Sequence, residues 1–390
     1  MDMPVPEQLK KEDLHEILEV LNYSFSFKET HPDIDERSDF EAILPIMWTG
    51  EHDYGSKHIG IRENGKIVSL LGDYPLPTMI AGKEIMMGTI GNVGSVREAR
   101  GKGYMKQIMT AALEAAEKEG FAAARLGGLR SRYNRYNFDH AGKLFICHLT
   151  RRNVNEYGEV PELHFKEIGP DDHEAIGFAR ACQRRAEVYV LRETDTDFYA
   201  TLRAWRNVPV IALDKQENPV GYLSASSDGK TVAEWGTDGS LTGVDLCAAW
   251  IKYNEALTEI TLEVVPYDRE TLQAVFGHCE CWTETAASMF HVFKWDELTE
   301  ALMRLAMRTS GLAEGELTFG IEGWGSLHMK VSGEQCIAEK TDANPAFILS
   351  PLEATGWMFG DLGCLRPIPS GTPESSWFPL PLSWNGQDRV

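Results

Sequence analysis

Between residues 93 and 106 the chain reads Val-Gly-Ser-Val-Arg-Glu-Ala-Arg-Gly-Lys-Gly-Tyr-Met-Lys, a glycine-spaced basic loop running into a strongly helical stretch. Glycine lets backbone come close to a ligand. A helix start offers unpaired N–H groups and a partial positive charge. Arg100, Lys102 and Lys106 add full charges. Together these are the parts of a diphosphate cradle. The loop lacks the Gly-Lys-Ser/Thr ending of a Walker loop, and Gly-x-Gly-x-x-Gly does not occur in it. Taken alone, a solvated basic turn accounts for it equally well. A second segment stands out at the other end. The chain closes on Trp377-Phe378-Pro379-Leu380-Pro381-Leu382-Ser383-Trp384, then Asn385 to Val390. Frayed tails are usually polar. An aromatic, proline-rich tail is expected to dock and to hold its own carboxylate in a fixed place.

The elements around the loop follow from periodicity. Leu9, Leu14, Ile17, Leu18 and Leu21 recur at helical spacing, so a helix is expected over 6–23, and a second over 40–48. Strands are expected at 59–61 and 67–71 about a Glu63–Lys66 turn, then at 85–96 with several glycines. A helix over 104–119 ends at Gly120, and a buried strand follows at 121–126. Residues 153–161 read as a polar linker. From 162 to 295 the same order of elements returns: helix, helix, hairpin, strand, helix, strand, helix, strand. This is expected to be a structural duplication. Its counterpart of the basic loop is Gly236-Thr237-Asp238-Gly239-Ser240, which carries no cation. The last stretch differs, with a helix over 295–307 and alternating strands through Leu317, Phe319, Ile321 and Leu327, Met329, Val331.

Val93 through Met105 and the following helix resemble motif A of the GCN5-related N-acetyltransferases (GNAT), Arg/Gln-x-x-Gly-x-Gly/Ala. Arg100 and Gly103 match, and Met105 stands where Gly or Ala is usual. Arg132-Tyr133-Asn134-Arg135-Tyr136-Asn137-Phe138 resembles the family's Tyr-x-x-x-Gly-Phe segment, with Asn137 in place of Gly. By order of elements the whole chain resembles the enhanced intracellular survival subgroup. The resemblance implies an α+β to α/β fold. Residues 1–155 would form a catalytic GNAT domain and 156–295 a degenerate GNAT-like domain, each a mixed sheet flanked by helices. Residues 296–390 would form a sterol-carrier-protein-like α+β domain. It implies that Val93, Gly94 and Ser95 on a splayed strand bind the pantetheine arm of acetyl-CoA. Arg100, Gly101, Lys102, Gly103, Tyr104, Met105 and Lys106 would hold the pyrophosphate. Tyr133 falls on the general acid, with Tyr136 its nearest competitor, and the Val390 carboxylate reaches the active site. Phe25, Phe27 and Trp48 lie near the acceptor pocket of the family, although each is equally a core aromatic. The implied acceptor is a small-molecule or peptide primary amine, aminoglycoside-like or polyamine-like. The implied assembly is a homo-oligomer, a hexamer by the subgroup's build.

Composition narrows the remaining classes. The 390 residues carry 38 Lys+Arg and 59 Asp+Glu, a net charge of −21. That argues against nucleic acid or an anionic membrane as partner. No basic and apolar leader starts the chain and no run is long enough to span a bilayer, so a cytoplasmic protein is expected. Seven scattered cysteines suit reduced thiols, with Cys147, Cys182 and Cys247 read as core. His278-Cys279-Glu280-Cys281 has no second ligand pair nearby, so no metal is expected. Two other classes stay open: an acyl-CoA-binding regulator without turnover, and a lipid-carrier or scaffold protein working through its last domain.

Overall fold

The computed structural model describes residues 4–26, 39–48, 52–156, 158–360, 368, 371–384 and 386–389. The first unit begins with β1 (Glu7–Gln8), α1 (Leu14–Ser26) and α2 (Phe40–Ile43). It continues through β2 (His58–Glu63), β3 (Lys66–Ile80), β4 (Lys83–Ser95), α3 (Tyr104–Glu119), β5 (Ala123–Leu126), α4 (Arg130–Tyr133) and β6 (Asp139–Ala141). The helix expected from residue 6 starts only at Leu14, because Glu7 and Gln8 are used as an edge strand against Gly60 and Ile59. The helix expected over 40–48 breaks after Ile43 and resumes as a 3-10 turn over Pro45–Trp48. Pro45 disfavours helical angles at the residue before it, and Leu44 sits at φ −130°. α3 has the expected bounds, with Ile108, Met109, Ala112 and Ala116 on its buried face.

The second unit starts with β7 (Leu144–Thr150), α5 (Arg151–Glu156), β8 (His164–Glu167), α6 (His173–Gln183) and β9 (Val188–Val190). α7 (Asp195–Leu202), β10 (Val208–Leu213), β11 (Pro219–Ala225), β12 (Thr231–Thr237) and α8 (Gly243–Tyr253) follow. β13 (Glu259–Val264), α9 (Arg269–His278), β14 (Cys281–Thr285) and β15 (Ser288–Val292) complete it. The linker expected over 153–161 is helical in its first part. Arg151 donates to the carbonyls of Ile251, Asn254 and Leu257 and ties α5 down, and Val154 is buried.

Two sheets organise these units. The first runs β1-β2-β3-β4-β5-β15-β6, with β9 added to the far half of β3, and the second runs β14-β7-β13-β12-β11-β10-β8. Each contains one parallel pair bridged by a helix, β4-α3-β5 and β12-α8-β13. The two units therefore share one plan, a sheet whose single parallel pair is bridged by a helix. The sheets also trade strands across the boundary expected near residue 155. β15 lies between β5 and β6 of the first sheet, and β7 lies between β13 and β14 of the second.

The last unit is α10 (Trp295–Thr309), β16 (Gly315–Ile321), β17 (Gly325–Ser332), β18 (Gln335–Thr341), β19 (Ile348–Leu349), α11 (Pro351–Phe359) and α12 (Glu374–Trp377). Its sheet runs β18-β17-β16-β19, and the expected alternation holds, with Leu317, Phe319, Ile321, Leu327, Met329 and Val331 all buried. One continuous core joins it to the first sheet, from Ile85 and Met87 through Phe290 to Leu302, Phe319 and Trp357. The tail docks as its composition suggested. Trp377, Leu380, Leu382 and Trp384 are buried, and Tyr267 donates to the Ser383 carbonyl at 3.1 Å. Cys147, Cys182 and Cys247 are core, and burial raises each thiol above its ordinary value. Cys279 closes α9 and Cys281 opens β14; among the described residues no cluster of His, Cys, Asp or Glu could hold a metal. Among them, too, no helix is long and apolar enough to cross a membrane.

Candidate active site

The site begins with a fault in a ladder. β3 and β4 pair Leu70 with Gly94 and Gly72 with Gly91, so Asn92 and Val93 together face Leu71. This is a β-bulge, which re-aims the strand beyond it. Asn92 takes φ +54°, and its amide donates to the Tyr74 hydroxyl at 2.7 Å and to Met47 Sδ at 3.3 Å. His58 Nδ1 sits 2.8 Å from the Tyr54 carbonyl, so that nitrogen carries the proton. Its Nε2 then accepts from the Tyr74 hydroxyl at 2.8 Å. Burial pushes His58 down to about 4, which keeps the imidazole neutral and the bulge network intact.

On its other edge β4 pairs with β5 only through Met87↔Ala123, Gly88↔Ala124 and Thr89↔Arg125. Past Thr89 the two strands diverge, and β5 pairs onward with β15. Among the described residues, the wedge leaves the backbone of Val93, Gly94 and Ser95 without a strand on that side. An extended chain with amide groups can hydrogen-bond there as a strand would.

At the open end of the wedge lies the basic loop. Arg97–Ala99 form a 3-10 turn, Gly101 and Gly103 take φ +79° and +82°, and α3 starts at Tyr104. A side chain on Gly103 would be strained at that φ, which is why glycine stands there. No side chain caps α3 and its first turn holds no acid. Its N–H groups and dipole are therefore offered to a ligand. A cavity of about 820 Å³ opens over them. Ser24 and Phe25 of α1 form one wall, Val93, Gly94 and Ser95 the floor, and Ala99 to Gly101 with Gly103 to Lys106 the phosphate end. Arg132, Arg135 and Tyr136 close the far side. Arg100, Lys106, Arg132 and Arg135 contribute four cations, and among the described residues no carboxylate lines the cavity, so the field of this lining suits an anion.

Of the residues singled out from sequence, Phe25, Val93, Gly94, Ser95, Arg100, Gly101, Gly103, Tyr104, Met105 and Lys106 meet at this cavity. Lys102 turns away. Its ammonium bonds both oxygens of Glu63, at 2.8 and 3.0 Å, and the Tyr104 hydroxyl donates to the same carboxylate. Trp48 is off the wall, its indole donating to the Phe40 carbonyl at 3.0 Å. Tyr133 is buried and is not among the described residues that line the cavity, while Tyr136 is on its wall. Burial raises both phenols; Arg132 opposes the shift at Tyr133 and Arg135 at Tyr136. Phe27 and Val390 lie outside the described residues. Sequence reasoning missed Ser24, Arg132 and Arg135. The two arginines stand three apart in the tyrosine segment, the spacing of one helical face, which was the available signal.

The wedge also meets the tail. Arg125, the last residue of β5 paired with β4, is buried, and its Nε donates to Thr89 Oγ1 at 3.1 Å. Its guanidinium lies 4.8 Å from the centre of the Trp384 ring. Burial lowers Arg125 to about 9, with Asp388 acting the other way. Arg192 holds Asp388 and Glu234 by paired bonds of 2.7 to 3.0 Å, and Gln387 donates to the carbonyls of Thr201, Leu202 and Ala204. Arg389 pairs with Glu263 at 2.9 Å. Residues 386–389 are thus fixed against α7 and the second sheet.

Residues 6–141 match the family model described as an acetyltransferase (GNAT) domain. No curated protein matches the chain. Among solved structures, a probable N-acyltransferase of Enterococcus faecalis is 17% identical with a TM-score of 0.65, covering 92% of this chain and 90% of that one. A GCN5-related N-acetyltransferase from Kribbella flavida is 15% identical with a TM-score of 0.64, covering 100% and 99%. Eis1 from Mycobacterium abscessus is 12% identical with a TM-score of 0.59, covering 91% and 88%. At these identities the structures establish a shared fold across all three units. The family match does more for the first of them: residues 6–141 are an acetyltransferase domain of the GNAT type, whose cosubstrate is acetyl-CoA, and through that domain the chain is an acyltransferase.

Proposed function

We propose that the chain transfers acetyl from acetyl-CoA directly to a primary amine, with residues 1–155 as the catalytic domain. The observation that carries this is the start of α3, without a side-chain cap, facing a cavity whose described lining holds four cations and no carboxylate. The diphosphate of the cosubstrate lies on Arg100, Gly101, Gly103 and Lys106. The pantetheine arm lies along Val93, Gly94 and Ser95, and their backbone polarises the thioester carbonyl. The amine attacks that carbonyl, the carbon–sulfur bond breaks, and the thiolate takes a proton from a tyrosine.

Tyr133 is the first candidate for that acid. Its raised pKa keeps it protonated and Arg132 is beside it. Tyr136 is a second reading, favoured by its place on the cavity wall. The carboxylate of Val390 draws a cationic amine toward the thioester. Support comes from the anchoring of Gln387 and Asp388 and from the tail's approach to Arg125. Phe25, with Phe40 at 5.1 Å between ring centres, is an aromatic wall for the acceptor. Aminoglycoside-like and polyamine-like amines are the acceptors to try first. The last unit is read as sterol-carrier-protein-like and the assembly as a hexamer, on resemblance, and the location as cytoplasmic, on the scattered cysteines.

The test is thiol release from acetyl-CoA over a panel of aminoglycosides, polyamines, lysine peptides and arylamines. The acid's Phe variant should lose about a hundredfold in kcat and keep its acetyl-CoA affinity. A loss in Tyr136→Phe with Tyr133→Phe unaffected would transfer the role. Bound acetyl-CoA with no turnover on any amine would favour a regulator. A co-purified apolar ligand with no acetyl-CoA binding would favour a lipid carrier.

A further inference from the structure

The second unit repeats the wedge. β12 and β13 pair only through Thr231↔Thr261 and Val232↔Leu262 and then diverge, as β4 and β5 do. A cavity of about 600 Å³ opens there, built from parts equivalent to those of the first: the end of α6, the end of β12 and the loop before α8.

Its chemistry is reversed. Thr242 Oγ1 accepts from the Asp245 N–H at 3.2 Å, and the Asp245 carboxylate accepts from the Thr242 N–H at 3.0 Å. The start of α8 therefore carries a capping box and an acid of the chain's own, where α3 has neither. Seven carboxylates line the cavity, and Arg185 is the one guanidinium of the lining. Arg192 serves two of the seven, Glu234 and Asp388, while Arg389 pairs with Glu263 and Arg308 with Glu187. Arg125, whose guanidinium lies 4.8 Å from the Trp384 ring, faces Asp388 and Glu263 as well, so two negative charges remain in excess. Glu270, exposed at the rim, has no ion-pair partner among the described residues.

A second group is unspent. Trp384 lines the same cavity and is 5% exposed, and its indole N–H has no acceptor among the described residues. A buried donor left unpaired is costly, and a ligand oxygen would satisfy it. The Tyr267–Ser383 bond holds the tail beside Asp268, so this donor and the acidic rim belong to one site.

We propose that the second cleft binds a small organic cation, an amine that also carries a hydroxyl or carbonyl oxygen. The ammonium lies against Asp268 and Glu270, and the oxygen accepts from Trp384. The site is separate from the acetyl-CoA cleft and does not depend on turnover there.

The test is titration of the full chain with diaminopropanol, without acetyl-CoA, by calorimetry and by tryptophan fluorescence, since Trp235 and Trp384 are on the wall. Saturable binding is expected, and diaminopropane, equally charged but lacking the hydroxyl, should bind several-fold more weakly. Glu270→Lys should weaken diaminopropanol about tenfold through loss of a charge contact while acetyl-CoA affinity stays unchanged. Trp384→Phe should erase the preference for the hydroxyl. Equal binding by Glu270→Lys and the parent chain, or no binding to the parent chain at millimolar concentration, overturns the proposal. Loss of acetyl-CoA affinity in Arg100 and Lys106 variants is read separately and reports only on the first cleft.

Discussion

Two buried groups near the bulge titrate in opposite senses, and both bear on how the first unit responds to pH. His58 is held down at about 4 by burial, against an ordinary 6.5. The unfolded chain therefore binds a proton that the folded chain refuses, and stability falls as pH drops from 6.5 toward 4. Asp73 is raised to about 7 from 3.8, by burial first and by Glu119 second, with Lys57 opposing. Its folded form keeps a proton that the unfolded form gives up, so stability falls as pH rises from 3.8 through 7. The two slopes offset between about pH 4 and 6.5. Asp73→Asn should then raise the melting temperature most at pH 8, by a smaller amount at pH 5 and hardly at all below pH 3.8, and expose the His58 slope between pH 6.5 and 4. A melting temperature at pH 8 equal to that of the parent chain would show that Asp73 carries no penalty. None of this was legible from sequence, because neither residue belongs to a motif and both owe their shifts to burial. The basic loop was legible, because Gly101 and Gly103 mark a backbone path that other residues take at a cost. The direction of Lys102 was not, since Glu63, its partner, lies thirty-nine positions away.

At the scale of elements, the working part is the junction of β4, the loop and α3. α3 was readable to the residue because both ends are glycines with positive φ, Gly103 and Gly120. The start of α1 was misread because Leu9 is buried from an edge-strand segment, so it fits the helical pattern without belonging to the helix. Gly103→Ala would strain the turn that presents the α3 N–H groups. It should weaken acetyl-CoA about tenfold with a loss of stability of only about 1 kcal/mol. Equilibrium binding against chemical denaturation separates the two effects. A parallel loss at α8, Thr242→Ala, should cost about 1 kcal/mol of stability and leave acetyl-CoA affinity alone. An acetyl-CoA defect in Thr242→Ala would mean that the two wedges are coupled.

The whole molecule is held together by its end. Arg192 lies buried between Glu234 and Asp388, and removing one member of such a group leaves uncompensated charge. Arg192→Met should therefore cost about 3–5 kcal/mol. If the terminal carboxylate assists the amine, kcat should fall further than stability alone explains. Deleting Val390 tests the same role more gently: turnover should collapse while the melting temperature hardly moves, and full turnover would leave the tail a purely structural part. The order of elements made the duplication visible, since each helix and strand announces itself by local period. The trading of β7 and β15 was hidden, because partner choice along a sheet edge is decided by tertiary packing and leaves no local signature.

That trade sets a timetable. β5 is four residues long and forms one wall of the acetyl-CoA wedge, and its second neighbour, β15, is encoded more than 160 positions later. A nascent chain emerging from the ribosome carries the phosphate loop early but has β5 at a raw sheet edge until Ser288–Val292 follow. Synthesis must pass the second unit before the first can close. A truncated transcript or a stalled chain would therefore release a first unit whose sheet is still open at β5.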